Sequence, residues 1–298
     1  MVIRVEGGEP ALAELVARVA RESGHDVRSG NGDGPVPAAV VDLGAPAREL
    51  AAAPDPVRHV TARSRAIRTA APPAARVVTL SHLGAHPGSD SWLLRAAAAA
   101  EAEAAGRGVV LRVGLLLGEV GFVAAVRRRV ESTKVFPVPG FADTRLEPLD
   151  AEDCARYCVE AAVTVRALDD VYELGCGEMI SGELLVQDLA GNLGLSRWTL
   201  PLPRAFRRPA ATWLATPDLP ARWIDAYLRA LPSFLPRRMN AWEHFEVDPI
   251  DLRTALARAA GMSFPRRRRR AGGDDDEGAG RFDWKRPGKR GILWTRSR

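Results

Sequence analysis

The first stretch whose residue types suggest a binding function is EGGEPALAE, from Glu6 to Glu14, which contains two glycines. An apolar run gives way to a helical pattern there, and a glycine turn at such a junction can hold a nucleotide phosphate on the free N–H groups of the helix N-terminus. Pro10 interrupts the stretch and removes one N–H group. Two interpretations stay open, a phosphate loop and a plain strand–helix turn begun by a proline.

Few other residues combine type and spacing in a way that suggests chemistry. Ser81 and His82 are adjacent, but neighbours on a strand point to opposite faces, which argues against a hydrolytic pair. Cys154 and Cys158 lie one helical turn apart without nearby histidines, so we interpret them as buried small residues and predict no metal site. With Cys176 they make a sparse, odd set, which predicts a reducing cytoplasm without disulfides.

The elements that would position these residues alternate between strand and helix. Short apolar runs without polar alternation predict buried parallel strands, and helical periodicity or propensity marks the segments between them. The pattern therefore predicts an α/β fold with helices on both faces of a parallel sheet. The predicted strands are at 2–5, 25–29, 38–44, 75–85 and 108–118, with helices at 10–24 and 91–106 among them.

Later segments predict strand, turn and helix again, with Ser181 as an N-cap, and a final helix at 248–261. We predict three parts: an α/β domain at 1–175, a small, mostly helical lobe at 176–264 interleaved with it, and a disordered tail at 265–298. We expect Trp213, Trp223, Tyr227 and Trp242 to pack the lobe. The sequence contains no apolar run of 18 residues, so we predict no membrane span.

The net charge of +5 belongs to the tail. Residues 265–298 contain ten Arg and two Lys against four Asp and one Glu, so the rest of the chain carries a net charge of −2. The run RRRRR at 266–270 could bind nucleic acid or an anionic membrane by counterion release. A solubilising tail, partly neutralised by DDDE at 274–277, is the alternative.

Four stretches occur in a familiar order, namely GGEPALAELVARVARESGHDVR, VVTLSHLGA, VVLRVGLLLGEVG, and the later strand–helix segments EPLDAEDCARYCVEA and YELGCGEMISGELLVQDLAGNLG. Together they resemble the atypical, extended short-chain dehydrogenase/reductase (SDR) superfamily, in its NmrA-like and complex-I-accessory-subunit-like branch. The resemblance covers about residues 1 to 260. It implies a doubly wound, Rossmann-like parallel sheet and NAD(P) as the cofactor.

The resemblance also implies positions for cofactor contacts. Counting back from Gly24 places Gly7 on the family's first glycine, Pro10 on the second and Ala13 on the third. Arg28 follows the second strand, where it either faces an adenosine 2′-phosphate, as in NADP-preferring relatives, or is a surface arginine. The implied cofactor-binding residues are Gly7, Gly8, Ala13, Arg28, Ser81 and Val113, the last replacing the family's proline.

Two departures bear on activity. The family's catalytic Tyr-x-x-x-Lys pair falls at or beside Trp92 and Ala96, and the chain has no tyrosine before Tyr157 and no lysine before Lys134. A tryptophan donates a hydrogen bond but cannot exchange a proton. In addition, the segment between DVRS and AAVVDLG is too short for the helix and strand that the family places there.

These observations leave three hypotheses open. The first is a non-catalytic scaffold, subunit or regulator with a protein partner or a second copy of itself. The second is an NAD(P)-dependent reductase that acts on an apolar small molecule without the Tyr–Lys pair. The third is binding of nucleic acid or membrane through the tail. The FPVPG loop at 136–140 and the segment from Trp213 to Trp242 are the predicted positions of a substrate or protein surface.

Overall fold

Six parallel strands form the central sheet of the protein, as seen in a computed structural model that describes residues 1–29, 35–106, 108–164, 171–235 and 241–262. Across the sheet the order is β10-β5-β4-β3-β1-β2. The strands are β1 (Val2–Glu6), β2 (Asp26–Ser29), β3 (Ala39–Asp42), β4 (Arg76–His82), β5 (Gly108–Val113) and β10 (Val171–Leu174). The predicted α/β fold with a Rossmann-like, doubly wound sheet is confirmed.

The chain reverses direction across the sheet between β1 and β3. It passes from β1 to β2 on one side and then to β3 on the other, and β2 is the edge strand among the described residues. The helices that follow β1 and β3 therefore lie on opposite faces of the sheet, and a crevice is left at the carboxyl ends of these strands. The sheet is shortened beyond β2, as the short segment between DVRS and AAVVDLG predicts.

Helices cover both faces of the sheet because neighbouring strand residues point in opposite directions. On β4, Val77 packs toward Ile67 of one face, whereas Val78 joins the core cluster of the other. One layer pairs α1 (Pro10–Glu22) with α6 (Ala151–Val163), and the other pairs α3 (Pro56–Ala70) with α4 (Trp92–Ala104). Pro10 is the first residue of α1, and its missing N–H costs nothing there.

In the described residues, six short strands and the remaining helices lie outside the central sheet. The strands pair two by two: β6 (Leu115–Leu117) with β9 (Pro148–Asp150), β7 (Val135–Pro139) with β12 (Trp198–Leu202), and β8 (Arg145–Leu146) with β11 (Ile180–Ser181). The helices are α2 (Ala47–Ala52), α5 (Gly121–Ser132), α7 (Gly182–Asn192), α8 (Arg207–Leu214), α9 (Ala221–Ala230), α10 (Ala241–His244) and α11 (Leu252–Ala259). None of the helices in the described residues is long and apolar enough to cross a membrane.

Two details of the sequence prediction are wrong. The single strand at 108–118 is two strands, because the chain breaks at Gly114, where Phe234 and Leu83 pack so closely that a Cβ would lie 3.1–3.3 Å from them. The FPVPG segment is no open loop, since Phe136 and Val138 are fully buried in β7. Ser181 is the N-cap of α7, as predicted, and accepts a hydrogen bond from the Leu184 amide.

Residues Met1–Phe264 make one compact unit. The described part of the predicted lobe is mostly helical, and the boundary at residue 175 stays a prediction. The predicted disordered tail lies outside the described residues. Trp213, Trp223 and Tyr227 pack in or against the larger core cluster, as expected for three of the four aromatic residues. The fourth, Trp242, has a side chain outside the described part.

Candidate functional site

A cavity of about 150 Å³ lies at the carboxyl ends of β1, β3, β4 and β5. Its walls come from the loops after these strands, from one side of α4, from the start of α5 and from α9. This is the crevice where Rossmann-like sheets bind their ligands. Most of the wall is aliphatic or aromatic, and the wall residues include neither lysine nor arginine.

The glycine turn after β1 is held by contacts within the protein. Gly7 and Gly8 have φ values of 67° and 74°, which only glycine adopts without strain. The Gly8 amide donates to the Gly44 carbonyl at 2.7 Å, and a Cβ on Gly8 would lie 2.6 Å from Leu43 Cβ. Close packing of this turn on the loop after β3 therefore accounts for Gly8, and it engages an amide that a phosphate would otherwise use.

An arginine covers the other glycine of the turn. A Cβ on Gly7 would overlap the guanidinium of Arg63, which reaches over from α3. Arg63 Nη1 donates to Asp42 Oδ1 at 2.6 Å, and the same oxygen accepts the Gly44 amide at 3.0 Å. Buried Asp42 at the end of β3 thus fixes the loop at Gly44 and the Arg63 side chain that covers Gly7.

Glu9 places a carboxylate at the N-termini of two helices. It is the N-cap residue of α1 but makes no side-chain cap to that helix. Its Oε2 instead accepts the amide of Gly121, the first residue of α5, at 2.6 Å. Burial raises the pKa of the Glu9 carboxyl, and the hydrogen bond from Gly121 opposes that rise. The position is one that favours anions, because free N–H groups and the helix dipole point toward it.

Ser81 belongs to a buried polar network. Its hydroxyl donates to Glu101 Oε1 at 2.6 Å. Arg112 grips the same carboxylate with Nε at 2.8 Å and Nη2 at 2.6 Å, and its Nη1 lies 3.9 Å from Glu173. The hydrogen bond with Glu101 is the main reason why the pKa of Arg112 is raised. The Ser81 hydroxyl is therefore engaged in holding α4 to the sheet.

The positions of the family's acid–base pair are occupied by packing residues. Ala96 lies in the cavity wall with Ala97 and Ala100, so α4 presents methyl groups there. Trp92 lies under the guanidinium of Arg222, 5.8 Å from its ring centroid. Neither Trp92 nor Ala96 has a side chain that can exchange a proton.

His82 is a polar residue of the wall that the sequence did not identify as part of a site. Its ring stacks on Phe234, with centroids 5.8 Å apart and planes at 5°. Its Nδ1 is buried without a hydrogen-bond partner. Burial lowers the pKa of His82 to about 4, so the ring is neutral at physiological pH. A neutral imidazole keeps one nitrogen as an acceptor.

Three aromatic rings close the wall beside His82. Tyr227 is stacked between Phe122, at 5.0 Å, and Trp223, at 4.8 Å. The Tyr227 hydroxyl donates weakly to the Gly114 carbonyl at 3.4 Å. Burial is the main cause of the raised pKa of Tyr227, and the Glu9 carboxylate adds to it. A hydroxyl with so high a pKa is no proton donor for chemistry near neutral pH.

The structure brings together half of the six predicted cofactor residues. Gly8, Ser81 and Val113 line the cavity, whereas Gly7 lies beside it under Arg63. Ala13 and Arg28 lie away from the cavity wall. Ala13 packs against the core cluster behind α1, and Arg28 donates to the Pro35 carbonyl at 3.0 Å. Whether any of the six contacts a cofactor stays a prediction.

The cysteines form no metal site in the described part of the chain. Cys154 and Cys158 are fully buried on α6, as predicted. The pKa of Cys154 is raised well above its usual value, first by its hydrogen bond with Cys158 and then by burial. Cys176 lies elsewhere, and burial raises its pKa to about 12. All three are free thiols of low reactivity.

We expect stability to fall in acid through His82. Its pKa is about 4 when folded and 6.5 when free, so the unfolded chain binds the extra proton between these values. The contribution is fully present above pH 6.5 and is lost as the pH falls toward 4, by up to about 3 kcal/mol. Urea unfolding of the wild type and of His82→Phe across pH 4–7 measures it. Glu9 titrates in both proteins and therefore affects both curves of unfolding free energy against pH. Parallel curves would mean that His82 adds nothing to the pH dependence, which would contradict the prediction.

Solved structures with this architecture identify its class. No protein-family model and no curated protein sequence matches the chain significantly. Human epimerase family protein SDR39U1 (isoform 2) with NADPH has a TM-score of 0.58 at 17% identity and covers 79% of this chain and 100% of its own. Quinone oxidoreductase QOR2 from Escherichia coli with NADPH has a TM-score of 0.63 at 16% identity, with coverages of 86% and 98%. MoeE5 with UDP-glucose and NAD has a TM-score of 0.63 at 16% identity, with coverages of 88% and 98%.

The chain therefore has the Rossmann-like fold of the SDR and epimerase proteins. The resemblance inferred from the sequence is confirmed at the level of the fold. The three structures named above are complexes with NADPH or NAD.

Proposed function

We propose that this chain is a non-catalytic protein of the SDR fold that acts as a scaffold, subunit or regulator and has lost tight NAD(P) binding. The observation that carries the proposal is the Glu9 carboxylate, bonded to the Gly121 amide at 2.6 Å between two helix N-termini. A pyrophosphate needs those N–H groups and positive potential. An internal carboxylate engages one of them and repels a second anion.

The rest of the crevice supports the same proposal. The cofactor of an SDR-like site would lie along the glycine turn, but Gly8 gives its amide to Gly44, and Pro10 has none. The cavity of about 150 Å³ is smaller than the 300–1,000 Å³ typical of ligand and cofactor sites. The residues present therefore do not fit a dinucleotide, and we derive no hydride-transfer step.

The competing function is an NAD(P)-dependent reductase that acts on an apolar small molecule. The matched structures favour it, because they were solved with NADPH or NAD. It requires dinucleotide binding, whereas the non-catalytic function does not. It also requires a proton donor at the cavity, and neither Trp92 nor Ala96 can supply that proton.

A titration with NADH and NADPH separates the two functions. We expect no energy transfer from protein to cofactor up to 1 mM, about the weakest affinity that such a titration detects. Trp223 lies in the cavity wall and is a donor beside the site. Human SDR39U1, whose structure contains NADPH, is the positive control. Saturable binding of either cofactor below 1 mM would favour the reductase.

The predicted partners and compartment stay proposals. A scaffold or subunit acts through a protein partner or a second copy of itself, and size-exclusion chromatography with light scattering distinguishes a monomer from an oligomer. The cytoplasm is the proposed compartment, because all three cysteines are free thiols. Cell fractionation tests that assignment. Binding of nucleic acid or membrane by the tail concerns residues outside the described part.

A further inference from the structure

The two-stranded ribbon of β7 and β12 has edges that disfavour a further strand. Ladder bonds in a parallel pair use the N–H groups of alternate residues of each strand. The Trp198 amide donates across the ribbon to the Lys134 carbonyl, and the Gly140 amide donates to β12. The alternate positions, whose N–H groups would point outward, include three prolines, which have no N–H group: Pro137, Pro139 and Pro201. A partner of this ribbon must therefore bind to its face.

The outward face of the ribbon is apolar. The register places Trp198 beside Val135 and Leu200 beside Pro137, so these four side chains share a face. Trp198 is 77% exposed, and Leu200 and Val135 are each 49% exposed. Polar Thr199 lies on the opposite face, where its hydroxyl donates to α7. A contiguous exposed apolar patch marks an interaction surface. We call the outward side chains the ribbon face: Val135, Pro137, Trp198, Leu200 and Leu202.

The end of the ribbon face at Trp198 is positively charged. Lys134 is exposed there, and Arg197 precedes Trp198 in the chain. The Arg197 guanidinium donates to backbone carbonyls, and among the described residues neither cation pairs with a carboxylate. The nearby Glu131 carboxylate pairs with Arg127. Two positive charges are therefore uncompensated at this end.

A groove continues the ribbon face at its other end. Leu202 belongs to the groove wall, and Leu235 adds apolar surface to it. Arg145 and Arg204 lie in the same wall with one carboxylate, that of Asp143. All three charged residues are exposed, and their net charge is positive. The surface as a whole is apolar in the middle and positive at both ends.

We infer that the ribbon face binds an amphipathic helix of a partner protein, whose apolar stripe is flanked by carboxylates at both ends. The five residues of β12 span about 13 Å, which is the length of about nine helical residues. The concave groove at Leu202 fits a convex helix better than the flat surface of a membrane. The inference rests on the proposed function, since a scaffold, subunit or regulator acts through a partner.

Charge also disfavours a second copy of this chain as the occupant. In a two-fold dimer the same surface meets itself. Because both ends of the ribbon face are positive, each end would approach a positive end of the other copy. Like charges at such distances oppose association, whereas carboxylates at both ends of a helix favour it.

A displayed library of helical peptides, randomised in the stripe and at both ends, tests the inference with the full chain. Members with an apolar stripe and Asp or Glu at both ends are expected to be enriched. The most enriched peptide, made synthetically, should bind the wild type in calorimetry and lose at least tenfold in affinity for Leu200→Asp, because a carboxylate would then lie against its stripe. Enrichment of basic ends, or no enrichment of apolar stripes, would overturn the inference.

Leu184→Asp is the matched control for Leu200→Asp. Leu184 has the same exposure, 50%, and belongs to α7, which packs on the opposite face of the ribbon. This variant should bind the peptide as the wild type does, and circular dichroism checks the folding of both variants. Equal affinity of the two variants would overturn the inference. Dimerisation of the wild type, or its binding to phosphatidylserine vesicles, would also overturn it if lost in Leu200→Asp alone.

A charge reversal distinguishes the ribbon face from the basic residues near the C-terminus. In the double variant Lys134→Glu, Arg204→Glu the acid-ended peptide should bind more weakly than to the wild type. The same stripe with lysine at both ends should bind more tightly to the double variant than to the wild type. Unchanged affinity of both peptides would contradict the role assigned to these two cations.

The NADPH titration separates this inference from the proposed function. Saturable NADPH binding below about 1 mM, together with peptide binding that depends on Leu200, contradicts the proposed function and leaves the ribbon face as a docking surface. Absence of peptide binding together with absence of NADPH binding contradicts the inference alone.

Discussion

NADPH binding is expected to appear in the double variant Glu9→Ala, Pro10→Gly and to be undetectable in the wild type. The first change removes the carboxylate that lies between the N-termini of α1 and α5 and frees the Gly121 amide. The second restores an N–H group in the first turn of α1. Each tenfold gain in affinity requires about 1.4 kcal/mol, and we expect a gain of at least tenfold from removing one negative charge beside the pyrophosphate and adding one donor.

Energy transfer from tryptophan to bound NADPH measures that gain in affinity. The single variants Glu9→Ala and Pro10→Gly show how much of the gain each change contributes. Glu14→Ala is the matched control, because Glu14 lies on the exposed side of the same helix and its loss changes the net charge equally. It is expected to leave NADPH binding undetectable. If the control and the double variant behave alike, a general charge effect explains the result and the assignment of Glu9 to the phosphate position is wrong.

Glu101→Ala is expected to produce a large loss of stability. Glu101 joins Ser81 of β4 to Arg112 of β5. Removal of its side chain takes the hydrogen-bond acceptor from the Ser81 hydroxyl and the carboxylate partner from Arg112. Breaking a buried ion pair by removing one partner costs about 3–5 kcal/mol. We expect about 3 kcal/mol, the lower end of that range, because Arg112 retains Glu173 at 3.9 Å.

Urea unfolding followed by circular dichroism measures this change. Glu103→Ala, on the same helix, is the comparison, because its partners Arg65 and Arg68 have exposed side chains and water replaces the lost ion pairs. It should cost clearly less than Glu101→Ala. Equal losses for the two variants would show that the Ser81–Glu101–Arg112 network contributes no more than a surface pair.

The fold was readable from the sequence because its signals are local. Buried apolar runs mark β1, β3, β4 and β5 without reference to other parts of the chain, and glycine or a capping residue marks several helix ends. Ser181 is such a case, since an N-cap acts on an amide three residues away. The break after Val113 was missed because the residue packed against Gly114, Phe234, is more than a hundred residues away.

The candidate site could be predicted only in part, because several of its contacts join residues that are far apart in the sequence. The absence of any tyrosine before Tyr157 and of any lysine before Lys134 follows from residue types alone, so the sequence was sufficient for it. The bond from Gly121 to Glu9 spans 112 residues, and the Arg63–Asp42 pair spans 21. No spacing rule relates such residues. Arg112, a charge within an apolar strand, was a signal that a buried carboxylate must lie nearby.

The carboxylate of Glu9 is attached to the chain, so it is present at the helix N-termini whatever the concentration of free anions in solution. A free anion must give up translational freedom each time it binds, whereas a tethered group has done so on folding. Enzymes that take a phosphate group at this position become more stable as the nucleotide concentration rises, by linkage. Under the proposed function the anionic group at this position is part of the polypeptide, so we expect the stability of the crevice not to change with nucleotide concentration.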